Sequence, residues 1–254
     1  MKKINIGKIS LLITAILFVG CSNFNKTGDS QMKTETHMET ETHMEMDTNM
    51  KMDAHMHGEI SFVDVFTPVE EFLNLKLDNY KDYEIYGHRV MMADNSKYIT
   101  KNTGNIFMNY MIPHHEGAII TAQGIILITE DEELKALCEG IVASQVGEVK
   151  EMQKLLSSKN LIDNEVKDFE NLMSKLMDEM MAGMVISDRQ LNKEEAESLF
   201  LSNMIVHHKG AVKMAEEYLK VGKNSSLLEL NKHVVITQNK EIKIMERLLE
   251  MREK

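Results

Sequence analysis

The chain has 254 residues, a net charge of −11, two prolines, no tryptophan and 22 methionines. This length allows one or two domains with a sizeable core, and the negative charge argues against nucleic acid as a partner. The scarcity of proline and the abundance of Leu, Glu, Lys and Met predict a helical protein. Methionine exceeds what core filling usually requires, so its placement along the chain is informative.

Residues 1–20 have the features of an export signal. Three early lysines precede an apolar run over residues 9–19, which is too short to span a bilayer comfortably. Residues 18–21 resemble a lipobox, in which the cysteine is lipidated and becomes the mature N-terminus, although Phe18 stands where leucine is usual. We therefore predict a lipoprotein that is exported and anchored to the membrane of the cell envelope through Cys21, in the periplasm or at the cell surface. Secretion without an anchor, or an uncleaved anchor, is the alternative.

Residues 21–59 form a polar segment that lacks an apolar period and is predicted to be disordered. The segment repeats every six residues, and most repeats place a histidine directly before a methionine. Imidazole and thioether groups favour copper, above all Cu(I), and the acidic neighbours attract cations. We interpret this segment as a metal-binding tether, with a simple spacer as the alternative. Its candidate ligands are His37, Met38, His43, Met44, His55, Met56 and His57.

Residues 60–104 are predicted to be a helical connector. Apolar residues between Phe62 and Leu77 recur at roughly helical spacing, with Pro68 near the start, which predicts one helix there. The following stretch gives no clear assignment. Within it, His88 together with Met91 or Met92 is a candidate additional metal site, but a packed connector is the interpretation that the sequence favours.

Residues 105–254 contain an internal duplication. The string Met111–Ala118 returns as Met204–Ala211, 93 positions later, and the repeated units cover residues 105–157 and 193–251. A repeat of this length outweighs any local motif. The same offset relates Gln145, Glu148 and Met152 to Gln238, Glu241 and Met245.

Each repeat is predicted to form two helices. In the first repeat they cover 105–128 and a stretch that opens with a capping-box pattern at Thr129 and runs to Leu156. In the second repeat one helix begins after Asn192 and the other restarts at Ser226. Two hairpins with one apolar stripe each predict an all-α four-helix bundle with approximate two-fold symmetry. Between the repeats, a methionine-rich helix is predicted over 163–184, with Met173, Met177, Met180 and Met184 on one stripe.

The duplicated histidines are candidate metal ligands. At 100° per residue both histidines of each pair border the inward face of their helix, beside small residues. Glutamine and glutamate on the second helix of each hairpin would need buried partners, and we expect them to orient the imidazoles. Glu148 is therefore expected near His114 and His115, and Glu241 near the second pair. The candidate ligands are His114, His115, His207, His208, Met111, Met204, Met152, Met245 and Met214, with Gln145, Glu148, Gln238 and Glu241 supporting them.

Two simpler interpretations accompany this prediction. A lone buried histidine is more often a satisfied core residue than a ligand, but two matched pairs beside matched methionines are harder to explain in that way. Cys138 lies on an apolar stripe and corresponds to Asn231 in the second repeat, so we take it as a small core residue.

The pattern Met-Ile-x-His-His-x-Gly-Ala, followed about thirty residues later by Gln-x-x-Glu-x-x-x-Met, resembles the domain of unknown function 305 (DUF305) family. Members of that family include CopM-type periplasmic copper-binding proteins. The resemblance covers residues 105–254 and implies a ferritin-like helical bundle that binds copper and supports copper tolerance. The matching positions are His114, His115, His207, His208, Met111 and Met204.

These observations predict a lipoprotein that binds Cu(I), with Ag(I) as a further candidate, and that sequesters the ion or transfers it to a copper exporter or chaperone. We expect no catalysis. A di-iron oxidase would need Glu-x-x-His on two helices, and no glutamate in the chain has histidine three residues later. A metal-free helical interaction module of the cell envelope is the other alternative.

Overall fold

The computed structural model describes residues 63–158 and 161–252. These residues form seven α-helices, which confirms the all-α prediction, and none of the helices is long and apolar enough to cross a membrane. The export signal, Cys21 and the tether ligands lie outside the described residues. The helices are α1 (Val69–Leu73), α2 (Tyr80–Met91), α3 (Thr103–Ile128), α4 (Glu132–Leu156), α5 (Phe169–Gly183), α6 (Lys193–Val221) and α7 (Ser225–Arg252), and Ser96–Tyr98 forms a 3-10 turn.

The centre of the fold is the four-helix bundle that the duplication predicts. Helices α3 and α4 form one hairpin, α6 and α7 form the other, and the hairpins meet mainly through α3 against α6. Almost every residue of α3 from Thr103 to Ala122 is buried, because other helices cover it on several sides. The two helices that carry the histidine pairs are therefore the innermost elements of the protein.

The helix starts are set by polar caps, two of which differ from the prediction. Helix α6 begins after Asn192 as predicted, and Asn192 forms a capping box with Glu195. At α4, however, the cap is Asp131, whose carboxylate accepts hydrogen bonds from the Glu133 and Leu134 amides. At α7 the side chain of Asn224 accepts from the Leu227 amide, one residue before the helix begins. In both cases the cap is the side-chain oxygen nearest the backbone amides of the first helical turn, which have no partner within the helix.

The predicted single helix between Phe62 and Leu77 is wrong. The structure has only the five-residue α1 there, and its last turn ends where the Asn74 side chain donates to the Glu70 carbonyl. Asparagine competes for backbone groups in this way and disfavours helix propagation. The longer helix of the connector is α2. It begins after Asn79, whose side chain accepts a hydrogen bond from the Asp82 amide.

The duplicated unit contains a third helix, and the predicted methionine-rich helix α5 is its copy in the second repeat. Helix α2 packs on α3 and α5 packs on α6 and α3. A β-carbon on Gly117 would lie 2.7 Å from the Gly87 carbonyl oxygen, and one on Gly210 would lie 2.8 Å from Cγ of Met180. Both pairs of positions are related by the 93-residue offset. The repeat is thus α2-α3-α4 followed by α5-α6-α7, and α5 is shorter than the predicted 163–184.

Candidate metal centre

The four duplicated histidines are among the most deeply buried polar residues of the bundle, with at most 1% of each residue exposed. The second histidine of each pair contacts its own hairpin. Nε2 of His115 lies 2.8 Å from Oε2 of Glu148, and Nε2 of His208 lies 2.8 Å from Oε2 of Glu241. The predicted approach of each glutamate to its histidine pair is therefore present, and a carboxylate fixes the ring of His115 and of His208.

The first histidine of each pair faces the other hairpin instead. The rings of His114 and His207 lie between α3 and α6 with their centroids 3.6 Å apart, and Nε2–H of His207 donates to the His114 carbonyl oxygen at 2.9 Å. The predicted approach of a glutamate to each pair is thus made to the second histidine, and the first histidine has other neighbours. Consecutive helical residues point about 100° apart, so the two rings meet different neighbours.

Each histidine keeps at least one ring nitrogen without a hydrogen bond. Because Nε2 of His115, His207 and His208 is used, their Nδ1 atoms are left buried and without a partner, and His114 has neither nitrogen paired. Burial lowers the pKa of His114 and His207 well below the usual value, and the neighbouring imidazoles lower it further. The neutral imidazole that results is the form that binds metal ions.

Two predicted contacts are absent. Gln145 and Gln238 are buried, with 1% and 2% of their surfaces exposed, yet their amide groups make no hydrogen bonds and so do not hold the imidazoles. Buried polar groups without partners are costly and uncommon. The bundle thus contains unpaired amide groups as well as unpaired imidazole nitrogens.

The predicted methionine ligands divide unequally between two apolar clusters. Met111, Met152 and Met214 belong to the cluster that also holds the methionine stripe of α5. Met204 and Met245 belong to the other cluster. The first cluster, which we call the sulfur-rich cluster, also contains Met91, Met108, Met173, Met177 and Met180. The sulfur-rich cluster therefore draws its thioether groups from both repeats.

Sequence reasoning missed two buried acids, Glu84 on α2 and Glu116 on α3. Glu116 is fully buried and neither carboxylate oxygen has a hydrogen-bond partner, and burial, with repulsion from Asp64, raises its pKa well above the usual value. Its counterpart in the second repeat is Lys209, which is exposed and pairs with Glu246. Only that difference within the duplicated string could have singled out Glu116. Cys138 is buried in the core as predicted.

Across residues 63–158 and 161–252, no three His, Cys, Asp or Glu side chains converge closely enough to hold a metal ion. A metal bound in the bundle must therefore also use thioether sulfur or draw the imidazoles together. The donors present, neutral nitrogen and sulfur, are those that Cu(I) accepts at low coordination number.

Comparison with known proteins places the bundle in a family. The family model described as domain of unknown function (DUF305) matches residues 104–249, which include both histidine pairs. The chain belongs to the DUF305 family. A solved DUF305 fragment from Deinococcus radiodurans is 23% identical, covers 59% of this chain and 95% of that chain, and superposes with a TM-score of 0.44.

An uncharacterized protein of Acanthamoeba polyphaga mimivirus is 38% identical over 55 residues, which is 22% of this chain and 36% of the viral protein. The match thus spans about a third of that relative. Membership of DUF305 is consistent with the resemblance drawn from the motif, and the copper-binding role that the resemblance implies is taken up below.

Proposed function

We propose that this DUF305 protein is a copper-binding protein that takes up Cu(I), and Ag(I) as a chemically similar ion, without catalysis. The observation that carries this proposal is the set of four buried histidines in two matched pairs, each with an unpaired ring nitrogen. A satisfied core histidine would have its hydrogen-bonding atoms paired. The duplicated histidines therefore behave as ligands held ready by Glu148 and Glu241.

The sulfur-rich cluster supports Cu(I) over harder ions. Met111 and Met214 lie in that cluster, on the helices that carry His114 and His207. Thioethers bind soft monovalent ions well and bind Mg²⁺, Ca²⁺ or Mn²⁺ poorly. Uncharged ligands also suit a monovalent cation, because such an ion places only one positive charge in the buried site without a carboxylate ligand to balance it.

The proposal extends to the part of the chain outside the described residues. We propose that residues 21–59 capture copper through their histidines and methionines, and that lipidation of Cys21 holds the protein at the envelope membrane. Copper captured by the tether would pass to the bundle for sequestration and copper tolerance, or to an exporter or chaperone. The repeated His-Met pairs support this role, since a spacer has no need of methionine.

The test is a Cu(I) titration of the purified chain against a chromogenic chelator under reducing conditions, with an unrelated acidic protein as the reference. A second sample, the tether variant, carries His→Gln at the four tether histidines and Met→Leu at every tether methionine from Met32 to Met56. We expect the tether variant to lose the copper that the tether binds and to keep the copper that the bundle binds. Binding no tighter than that of the acidic reference in both samples would overturn the proposal and favour a metal-free interaction module.

A further inference from the structure

A small cavity, which we call the α2–α6 cavity, lies between α2, α3, α6 and the end of α5, beside the ring of His207. Its volume is about 10 Å³, which is roughly the space needed by one water-sized particle. The Nε2–H group of His207 is already donated to the His114 carbonyl oxygen, so Nδ1 carries the lone pair, and this atom is buried without a hydrogen bond. The cavity thus adjoins a neutral imidazole that is free to bind a metal ion.

Three methionines line the same cavity. They are Met91 at the end of α2, Met184 directly after α5, and Met204 on α6. Met91 belongs to the sulfur-rich cluster and Met184 packs against it, whereas Met204 belongs to the other apolar cluster. Met91 and Met204 are each 3% exposed, and Met184 is half-buried. Thioether groups from three separate elements therefore surround one cavity beside a free imidazole nitrogen.

The duplication relates two of these methionines to each other. Helix α2 has 12 residues, and the 93-residue offset leaves only Met91 unchanged, with Met184 as its counterpart. Neighbouring positions differ, as His88 does from Met181. Equivalent residues that line the same cavity lie on either side of the approximate two-fold axis. The otherwise dissimilar third helices of the two repeats thus agree in placing a thioether at this cavity.

The rest of the lining favours a cation over an apolar molecule. Glu84 and His88 of α2 also line the cavity, and they are at most 3% exposed. Nδ1–H of His88 donates to the Glu84 carbonyl oxygen at 2.9 Å, which leaves Nε2 buried without a hydrogen bond. Buried lone pairs without partners are costly, and a cation beside them offsets part of that cost.

We propose that Cu(I) binds in the α2–α6 cavity, where Met91, Met184 and Met204 supply sulfur ligands to an ion that His207 binds through Nδ1. Among the described residues no three His, Cys, Asp or Glu side chains converge to hold a metal ion, so the ion needs thioether ligands, which Cu(I) accepts. Half-buried Met184 is the ligand that the ion meets first as it enters from the surface. This inference rests on the proposed function and adds to it the place of the ion and two ligands outside the duplicated string.

The test combines a chelator competition for Cu(I) with X-ray absorption spectroscopy of the bound copper, both in the tether variant. The cavity variant adds Met91→Leu and Met184→Leu. The control adds Met173→Leu and Met177→Leu, at two buried positions of the sulfur-rich cluster that do not line the cavity. Leucine replaces methionine with little change in volume, so both proteins should fold. We expect the cavity variant to show fewer sulfur neighbours and an affinity at least about tenfold lower, since even the hydrogen-bond partner of a metal ligand contributes that much.

Equal affinities and equal sulfur contributions in the cavity variant and the control would overturn the inference and leave the proposed function standing. A tether variant that binds no Cu(I) would overturn both this inference and the proposed role of the bundle. Far-ultraviolet circular dichroism checks the fold. If the cavity variant unfolds, the single substitution Met204→Leu decides the matter by the same two measurements, since it removes another thioether from the cavity wall.

Discussion

At the scale of single residues, the site depends on which ring nitrogen of each histidine already makes a hydrogen bond. The carboxylates of Glu148 and Glu241 bind His115 and His208 through Nε2. Nδ1 of each ring is therefore the atom left to bind a metal ion. A partner of this kind fixes the tautomer and the orientation of a ligand ring. His114 and His207 have no carboxylate partner and depend on packing against each other.

Replacing Glu148 by glutamine should weaken Cu(I) binding by the bundle about 10- to 100-fold, because the amide no longer secures the hydrogen on Nε2 of His115. The measurement is a chelator competition in the tether variant. Glu151→Gln is the matched control, since Glu151 lies one turn further along α4 and is exposed. Equal affinities in the two proteins would show that Glu148 has no positioning role.

Glu116→Gln should stabilise the protein in a pH-dependent manner. Burial in the folded state raises the pKa of Glu116 well above its usual value of 4.5, so the ionised form is penalised only in the folded protein. This penalty is absent below pH 4.5 and grows by about 1.4 kcal/mol per pH unit until the folded pKa is reached. Glutamine avoids it, so its advantage should be small near pH 4 and larger near pH 7.

Urea denaturation of Glu116→Gln at the two pH values measures this difference in the free energy of unfolding. The control is Lys209→Gln at the equivalent exposed position, for which we expect little pH dependence. A gain in stability that is the same at both pH values would contradict burial of an ionisable Glu116.

At the scale of helices, glycines set how closely α2 and α5 approach the bundle. An alanine at Gly117 would press its β-carbon against the backbone carbonyl of Gly87, which cannot move without shifting α2. An alanine at Gly210 would meet the flexible side chain of Met180. Related positions in the two repeats therefore differ in how much they tolerate a methyl group.

Gly117→Ala should destabilise the protein by about 1–3 kcal/mol, and Gly210→Ala should cost clearly less, because Met180 can change rotamer. Gly140→Ala is the control in α4, where a β-carbon meets nothing within 4 Å. It should stabilise the helix by about 0.5–1 kcal/mol. Chemical denaturation checks all three, and an equal loss at Gly117 and Gly210 would contradict the packing described for α2.

Much of this architecture follows from sequence. The helices α3, α4, α6 and α7 were predictable because their apolar stripes are long and occur twice. The equivalence of α2 and α5 was not, since only Met91 and Met184 are identical between the two helices at the 93-residue offset. Periodicity also places a side chain on a face without saying which neighbouring helix covers that face. For this reason the contact of Glu148 was predicted, whereas the ring contact between His114 and His207 was not.

At the scale of the whole molecule, an approximately symmetric scaffold has two chemically unequal halves. Helix α5 contributes Met173, Met177 and Met180 to the sulfur-rich cluster, whereas α2 contributes Met91 and also carries the buried Glu84 and His88. The duplicated string alone suggests two equal sites. The third helix of each repeat, which diverged most, gives the two histidine pairs different surroundings.

The central claim is that Cu(I) binds in the bundle through imidazole nitrogen and thioether sulfur. X-ray absorption spectroscopy of the tether variant loaded with one equivalent of Cu(I) tests it most directly. We predict a low-coordinate ion with both nitrogen and sulfur neighbours. When His114→Gln and His207→Gln are added together, we predict that the nitrogen contribution is lost and that copper is retained more weakly. A tether variant that retains no Cu(I), or a copper spectrum without sulfur that both substitutions leave unchanged, would contradict the account.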